Sequence, residues 1–144
     1  MDPILPGAWQ IRVRDRLDIL DLYARQSHAV DSSNGAGWAA TFTDDGVFTS
    51  PTYNLTARGP DELAEFARSS NDAALARGEQ FRHVVTAVML TPVSDGRIDS
   101  KAYLMIIATS ETGTRIDRSL VMHDELRRVS GRWLVSSRET VRDH

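Results

Sequence analysis

The chain has 144 residues, 41% of them hydrophobic and 26% charged, the proportions of one globular domain with an ordinary core. Its 20 acids and 17 bases are mixed along the sequence to a net charge of -3, with no basic run or aromatic-basic stripe, which argues against a nucleic-acid partner. There is no cysteine, so disulfide frameworks, thiolate metal sites and a thiol nucleophile are excluded, and any chemistry falls to His, carboxylates, Arg or hydroxyls.

The opening MDPILPGAWQ lacks the basic-then-apolar pattern of a secretory leader, and no stretch approaches the ~20 apolar residues of a membrane span. The expectation is a cytoplasmic chain with no membrane partner, a single domain over 1–144 in which 1–10 is an N-terminal extension. Leu17, Leu20, Ala24, Ser27 and Asp31 recur at three- and four-residue intervals. They predict a helix from about Ile11 to Val30 with those residues on one stripe, and Asp31 at the end of its apolar face. Asn34-Gly35 breaks the chain, and Trp38, Ala39 and Phe42 predict a short second helix that ends at an Asp44-Asp45-Gly46 turn. The string Gly35-Ala36-Gly37-Trp38-Ala39-Ala40 spells a dinucleotide fingerprint, but it follows a helix and has no βαβ unit around it, so it reads as a helix-helix turn.

A short strand pair is expected around Val47-Phe48 and Tyr53-Leu55. Gly59-Pro60-Asp61-Glu62 then starts a third helix, with Pro suited to the first turn and acids favoured there by the dipole. That helix carries Leu63, Phe66 and Ala67 inward. Hairpin signals at Asp95-Gly96, Thr112-Gly113 and Ser130-Gly131 divide the remainder into strands near 81–93, 97–111, 115–129 and 132–142, an antiparallel meander. In the first of these, QFRHVVTAVML places the titratable ring of His83 at the mouth of an apolar run. Strand 97–111 is apolar on both faces, with Ala102, Leu104, Ile106 and Ala108 on one and Tyr103, Met105 and Ile107 on the other. One face is expected to meet the helices and the other a partner subunit, giving a homodimer or higher homo-oligomer.

Five segments in order, DLYARQSHAVD, WAATFTDDGVF, RGPDELAEF, FRHVV and GRWLVSSRETVRD, resemble the SnoaL-like branch of the nuclear transport factor 2-like superfamily, over roughly 11 to 142. The resemblance implies an α+β fold, a cone-shaped barrel of strongly curved antiparallel sheet with N-terminal helices closing one side over a deep apolar pocket. This superfold hosts dehydratases, isomerases, cyclases, hydrolases and binding modules, so function has to be argued from the site. Members similar to scytalone dehydratase and to the hexachlorocyclohexane dehydrochlorinase place an aspartate at the end of the first helix and a histidine at the start of the third strand. Asp31 and His83 match those positions. The spacing from Asp21-Leu22-Tyr23 to Asp31 equals that of the dehydrochlorinase pattern, and Arg138 after Trp133 resembles its last-strand arginine. Gln26 stands where that enzyme has a lysine, which argues against a halide-stabilising role. The second pocket histidine of the scytalone enzyme has no counterpart.

The chemistry of such a pair follows from its groups. A neutral imidazole takes a proton near pH 7, while a carboxylate on its other nitrogen fixes the tautomer and stabilises the imidazolium that forms. No cofactor is needed. The dyad suits proton abstraction beside a carbonyl, followed by loss of a β-leaving group, double-bond migration or attack on a second carbonyl. Arg138 or the phenol of Tyr53 would polarise the oxygen where charge develops. His28, three residues before Asp31, is close enough in sequence to touch the site. Tyr23, Trp38, Phe42, Phe48, Phe66 and Tyr103 are core residues first, but in a cone fold core and pocket overlap, and all but Phe42 are taken as substrate-binding candidates with His28 and Tyr53. His28, Asp31 and His83 can be drawn as a metal triad, yet they lack a metal-ligand spacing such as HExxH, and no metal is expected. The sequence thus points to a cofactor-independent lyase or isomerase, a dehydratase, double-bond isomerase or cyclase, acting on a small apolar carbonyl compound. By resemblance that compound is polyketide-like or aromatic. The alternatives are a non-catalytic binding or assembly module like the small subunit of a ring-hydroxylating dioxygenase, and an epoxide hydrolase, which would call for an Asp-Arg-Asp constellation not evident here.

Overall fold

A computed structural model describes residues 10–144, so the N-terminal extension expected over 1–10 lies, apart from Gln10, outside the described residues. The elements are α1 (Val13–Asp31), α2 (Gly35–Ala39), β1 (Phe42–Ser50), a 3-10 turn (Pro51–Tyr53), β2 (Leu55–Arg58), α3 (Gly59–Ala76), β3 (Gln80–Ser94), β4 (Arg97–Ser110), β5 (Gly113–Val129) and β6 (Arg132–Arg142). Together they form the α+β, nuclear transport factor 2-like architecture, three helices against one curved, open six-stranded sheet of order β2-β1-β6-β5-β4-β3.

The sheet is mixed. β3 to β6 form the expected antiparallel meander, but β1 runs parallel to β6. Its hairpins close where the sequence signals lie, and Ser130 and Gly131 both take positive φ, 50° and 77°, as a tight strand-to-strand turn requires. Phe42 opens β1 instead of ending a helix, and Asp44-Asp45-Gly46 is an irregularity inside that strand where its register against β6 slips between Phe42 and Val47. Tyr53 lies in the 3-10 turn, with the strand of its pair starting only at Leu55. Gly35 to Ala39 is helical, so the apparent nucleotide fingerprint is a short helix capped by Asn34, whose Oδ1 accepts from the Gly37 amide at 2.9 Å.

On α1 the buried face is a different stripe from the one that apolar counting selects. Ile19, Leu22, Tyr23, Gln26 and Val30 are buried together with Asp15, while Leu17 and Leu20 are 59% and 47% exposed. Two polar residues belong to the inner face because partners wait for them there. Asp15 accepts hydrogen bonds from Trp133 Nε1 and Arg12 Nε, each at 3.0 Å. Burial alone would raise its carboxyl, but those bonds and the charges of Arg12 and Arg128 outweigh burial and hold it below the ordinary value.

β3 carries a second irregularity with a functional consequence. Register against β4 shifts between Thr86 and Met89, and Ala87 sits at φ 52°. Before the shift Phe81, His83 and Val85 face inward; after it Val88 and Leu90 do, so the strand changes phase and keeps apolar groups on the core along its length. The helices cover this inner face. On the outer face Tyr103, Met89 and Ile116 are more than half exposed. No helix among the described residues is long and apolar enough to cross a membrane.

Gly35 marks the closest approach of the helices, since a Cβ added there would run into the Ala64 carbonyl of α3. Backbone cannot yield as a side chain can. Gly35→Ala is therefore expected to cost about 1–3 kcal/mol, read as a lower urea midpoint with an unchanged slope. A midpoint equal to that of the unsubstituted chain would show that the two helices are not packed this tightly.

Candidate functional site

The three helices and the inner sheet face enclose a cavity of about 260 Å³. Its aromatic wall is a cluster in which Phe48 stacks on Phe66 at 4.7 Å and Trp38 meets both rings edge-on or tilted, at 5.9 and 5.8 Å. Phe81, Val85, Ile106, Leu120 and Met122 continue the apolar lining across β3, β4 and β5. Such a surface favours a planar, largely apolar occupant.

Asp31 and His83 meet at one wall, although 52 residues separate them. Asp31 is the last residue of α1, and the chain leaves the helix there with its backbone carbonyl held by Asn71 Nδ2 at 3.3 Å and Gln80 Nε2 at 3.2 Å. Its carboxylate grips His83 twice, Oδ1 to the ring Nδ1 at 2.7 Å and Oδ2 to the backbone amide at 3.2 Å. An ionised carboxylate only accepts, so Nδ1 carries a proton, and in the neutral ring Nε2 is the nitrogen with the free lone pair. The ring is 19% exposed, the carboxylate 8%, and His83 lines the cavity. The geometry can therefore hold one imidazole nitrogen fixed and offer the other to a bound molecule.

A second polar centre forms another part of the wall. Arg138 on β6 lies directly opposite Asp124 on β5 and binds it through Nε and Nη2, both at 2.8 Å. Nη2 also donates to Gln26 Oε1 at 2.7 Å, Gln26 Nε2 donates to Thr41 Oγ1 at 2.8 Å, and the Tyr23 hydroxyl donates to Asp124 Oδ2 at 2.9 Å. Burial opposes the arginine's charge, but the Asp124 carboxylate outweighs it and raises the guanidinium above its ordinary value. Burial, reinforced by the same carboxylate, pushes the Tyr23 phenol far up, so it stays a donor. Nη1 of Arg138 takes no partner among the described residues.

The other candidates divide. Trp38, Phe48 and Phe66 line the cavity, and Tyr53 stands at its rim, half exposed, with the Arg118 guanidinium over its ring at 5.6 Å. Tyr23 does not line it and serves the ion pair behind. His28 is exposed and off the cavity, because three residues along a helix leave it roughly 60° round from Asp31. Tyr103 is 53% exposed on the outer face, since its strand neighbours Ala102 and Leu104 point inward. Neither His28 nor Tyr103 is placed to bind a substrate in this cavity, and the drawn triad of His28, Asp31 and His83 does not assemble. Among the described residues no group of three or more His, Cys, Asp or Glu is placed to hold a metal ion.

Sequence reasoning missed Asp124, Asn71, Ser50 and Arg118. Two of them leave a trace in the pattern. Asp124 interrupts the inward series Leu120, Met122, Leu126, and Asn71 interrupts Leu63, Ala67, Ala74, each a polar residue where the period demands an apolar one.

Fold and cavity define a small-molecule-binding protein of the nuclear transport factor 2-like class. The SnoaL-like domain family matches residues 11–139, and the chain belongs to that family. Among solved structures it is similar to Aln2 from a Streptomyces species, with 27% identity over 94% of this chain and 95% of that one, at a TM-score of 0.83. ActVI-ORFA from Streptomyces coelicolor is 28% identical over 90% of this chain and 97% of that one, TM-score 0.80. A protein from Catenulispora acidiphila in complex with S-DNPA is 28% identical over 92% of this chain and 96% of that one, TM-score 0.78. No curated protein matches the chain.

Asp124 and Arg138 side chains are 0% and 6% exposed, so removing one charge strands the other in the core. Asp124→Asn is expected to cost about 3–5 kcal/mol in urea denaturation, and Asp124→Leu with Arg138→Met clearly less than Asp124→Asn alone. Equal stability of Asp124→Asn and the unsubstituted protein would contradict a buried, charged pair.

Proposed function

We propose that the protein is a cofactor-independent lyase or isomerase in which His83 acts as general base on a small, planar, apolar carbonyl compound. The observation that carries this reading is the 2.7 Å contact of His83 Nδ1 with Asp31 Oδ1 at the wall of an apolar cavity. In this reading Nε2 removes a proton from the carbon beside the carbonyl, the electron pair moves onto the oxygen as an enolate, and Asp31 stabilises the imidazolium. Nη1 of Arg138 polarises that oxygen. Because Asp124 already balances the guanidinium, the donor is preorganised without adding net charge to the wall. Collapse of the enolate with loss of a β-hydroxyl gives dehydration, with the imidazolium returning its proton to the leaving group. Return of the proton at a different carbon gives isomerisation, and attack of the enolate carbon on a second carbonyl gives cyclisation.

Membership of the SnoaL-like family and likeness to a protein that holds S-DNPA support a small organic occupant. The volume of about 260 Å³ lies just under the ~300–1,000 Å³ usual for ligand pockets, which favours a compact one. The test is turnover of an aryl β-hydroxyketone, followed by ultraviolet absorbance of the conjugated product. His83→Ala is expected to lower kcat by about 10²- to 10⁴-fold with folding intact, and Asp31→Asn to lower it as well. The double variant should lose far less than the product of the two, because the pair acts as a unit. Full activity of His83→Ala would overturn the assignment of the base, and no turnover by the unsubstituted protein would favour a binding module.

Assembly belongs to the same reading. Tyr103, Val121 and Val141 stand side by side across β4, β5 and β6 on the face the helices leave open, with Ile116 exposed further along β5 and Met89 on neighbouring β3. An apolar sheet face of this extent is covered here by a second copy of the chain. Light scattering at micromolar concentration is expected to give about twice the chain mass of 16.0 kDa. A mass of one chain would refute it.

A further inference from the structure

Buried polar atoms without partners are rare in folded proteins, and in this cavity wall there are two, Asn71 Oδ1 and Ser50 Oγ. Asn71 is 1% exposed and Ser50 4%. The orientation of the Asn71 amide is settled by its surroundings. Ser33 Oγ donates its proton to Asp72 Oδ1 at 2.7 Å, so toward Asn71 it can only accept, and it does so from Nδ2 at 2.8 Å. Nδ2 also donates to the Asp31 carbonyl at 3.3 Å. Turning the amide over would set an acceptor oxygen against the lone pairs of both groups. Oδ1 is thus turned away from both of these groups, buried and without a partner among the described residues, on a side chain that lines the cavity.

We propose that Asn71 Oδ1 receives a hydrogen bond from a hydroxyl of the ligand, so that the site selects a hydroxy-substituted planar ring compound with that hydroxyl turned toward α3. A neutral donor fits better than an ammonium, because no Asp or Glu among the described residues lines this cavity to balance a buried cation. Through Nδ2 the same side chain holds the backbone of Asp31, the residue that orients His83, so the acceptor and the imidazole are set relative to each other by one rigid connection. A ligand hydroxyl seated on Asn71 would thereby fix which ring carbon faces Nε2. Ser50 both donates and accepts, and so adds a handle without dictating the group it meets.

The inference deepens the proposed small-molecule reading and rests on the cavity being its binding site, but its test measures binding and needs no turnover, so either can fail alone. The probes are 2-naphthol and 2-fluoronaphthalene, similar in size and differing in the donor. NMR titration of the full chain is expected to give 2-naphthol a dissociation constant about 5- to 100-fold lower, the range for meeting or leaving one buried acceptor. His83→Ala should keep that ratio, which separates Asn71 from Nε2 as the acceptor. Asn71→Leu should bring it near one. Should Asn71→Leu not fold, a crystal structure of the unsubstituted protein with 2-naphthol decides, with the ligand oxygen expected within hydrogen-bond distance of Asn71 Oδ1. Equal affinities, a ratio that vanishes in His83→Ala, or a ligand oxygen placed away from Asn71 would each overturn the proposal.

Discussion

The arrangement of this molecule depends on the buried pair of Arg138 and Asp124. The two residues face each other across β5 and β6, and their surplus hydrogen-bonding capacity reaches out of the sheet to Tyr23 and Gln26 on α1. Gln26 passes the connection to Thr41, whose hydroxyl returns to the Trp38 carbonyl at the end of α2. An apolar contact would let a helix slide or rotate on the sheet at little cost. A charged pair that leaves donors and acceptors to be met admits one placement, because any other strands a buried polar group.

That placement is what brings the ends of α1 and β3 together. Asp31 is eight residues beyond Tyr23 on the same helix, and with Tyr23 and Gln26 held the helix terminus is aimed at the mouth of β3. There the carboxylate accepts from both the ring and the backbone of His83, fixing the position of the imidazole as well as its tautomer. Precision of this kind comes from rigid elements and supporting contacts, here Asn71 and Gln80 on the Asp31 carbonyl. The same wall keeps Asn71 Oδ1 and Ser50 Oγ unmatched. A protein selected only for stability would pair or remove such atoms, whereas a binding site keeps them for its ligand.

Periodicity, turn chemistry and capping are local, and they were legible. The three helices, the meander of β3 to β6 with its hairpins, and the likeness to SnoaL-like domains all follow from nearest-neighbour pattern and motif order. So does the pairing of candidates, because the family pattern places Asp31 and His83 at element ends that the periodicity locates independently. Local pattern misleads where a polar residue is buried for the sake of a distant partner. Counting apolar residues put Leu17 and Leu20 on the inner face of α1, but Asp15 and Gln26 take that face, since Trp133 and Arg138, more than a hundred residues away, supply their hydrogen bonds.

The amino-acid sequence by itself determined the α+β class, the order of the elements, the absence of thiol chemistry and the small set of groups able to move a proton. Only the tertiary structure decided that β1 joins β6 in parallel, that Asp44-Asp45-Gly46 bulges inside a strand, and that His28 and Tyr103 lie off the cavity while Asp124, Asn71 and Ser50 belong to its surroundings. The reason is physical. Burial and hydrogen-bond satisfaction are properties of groups brought together from far apart in the chain, and a residue's type and spacing state its capacity for a partner without naming the partner.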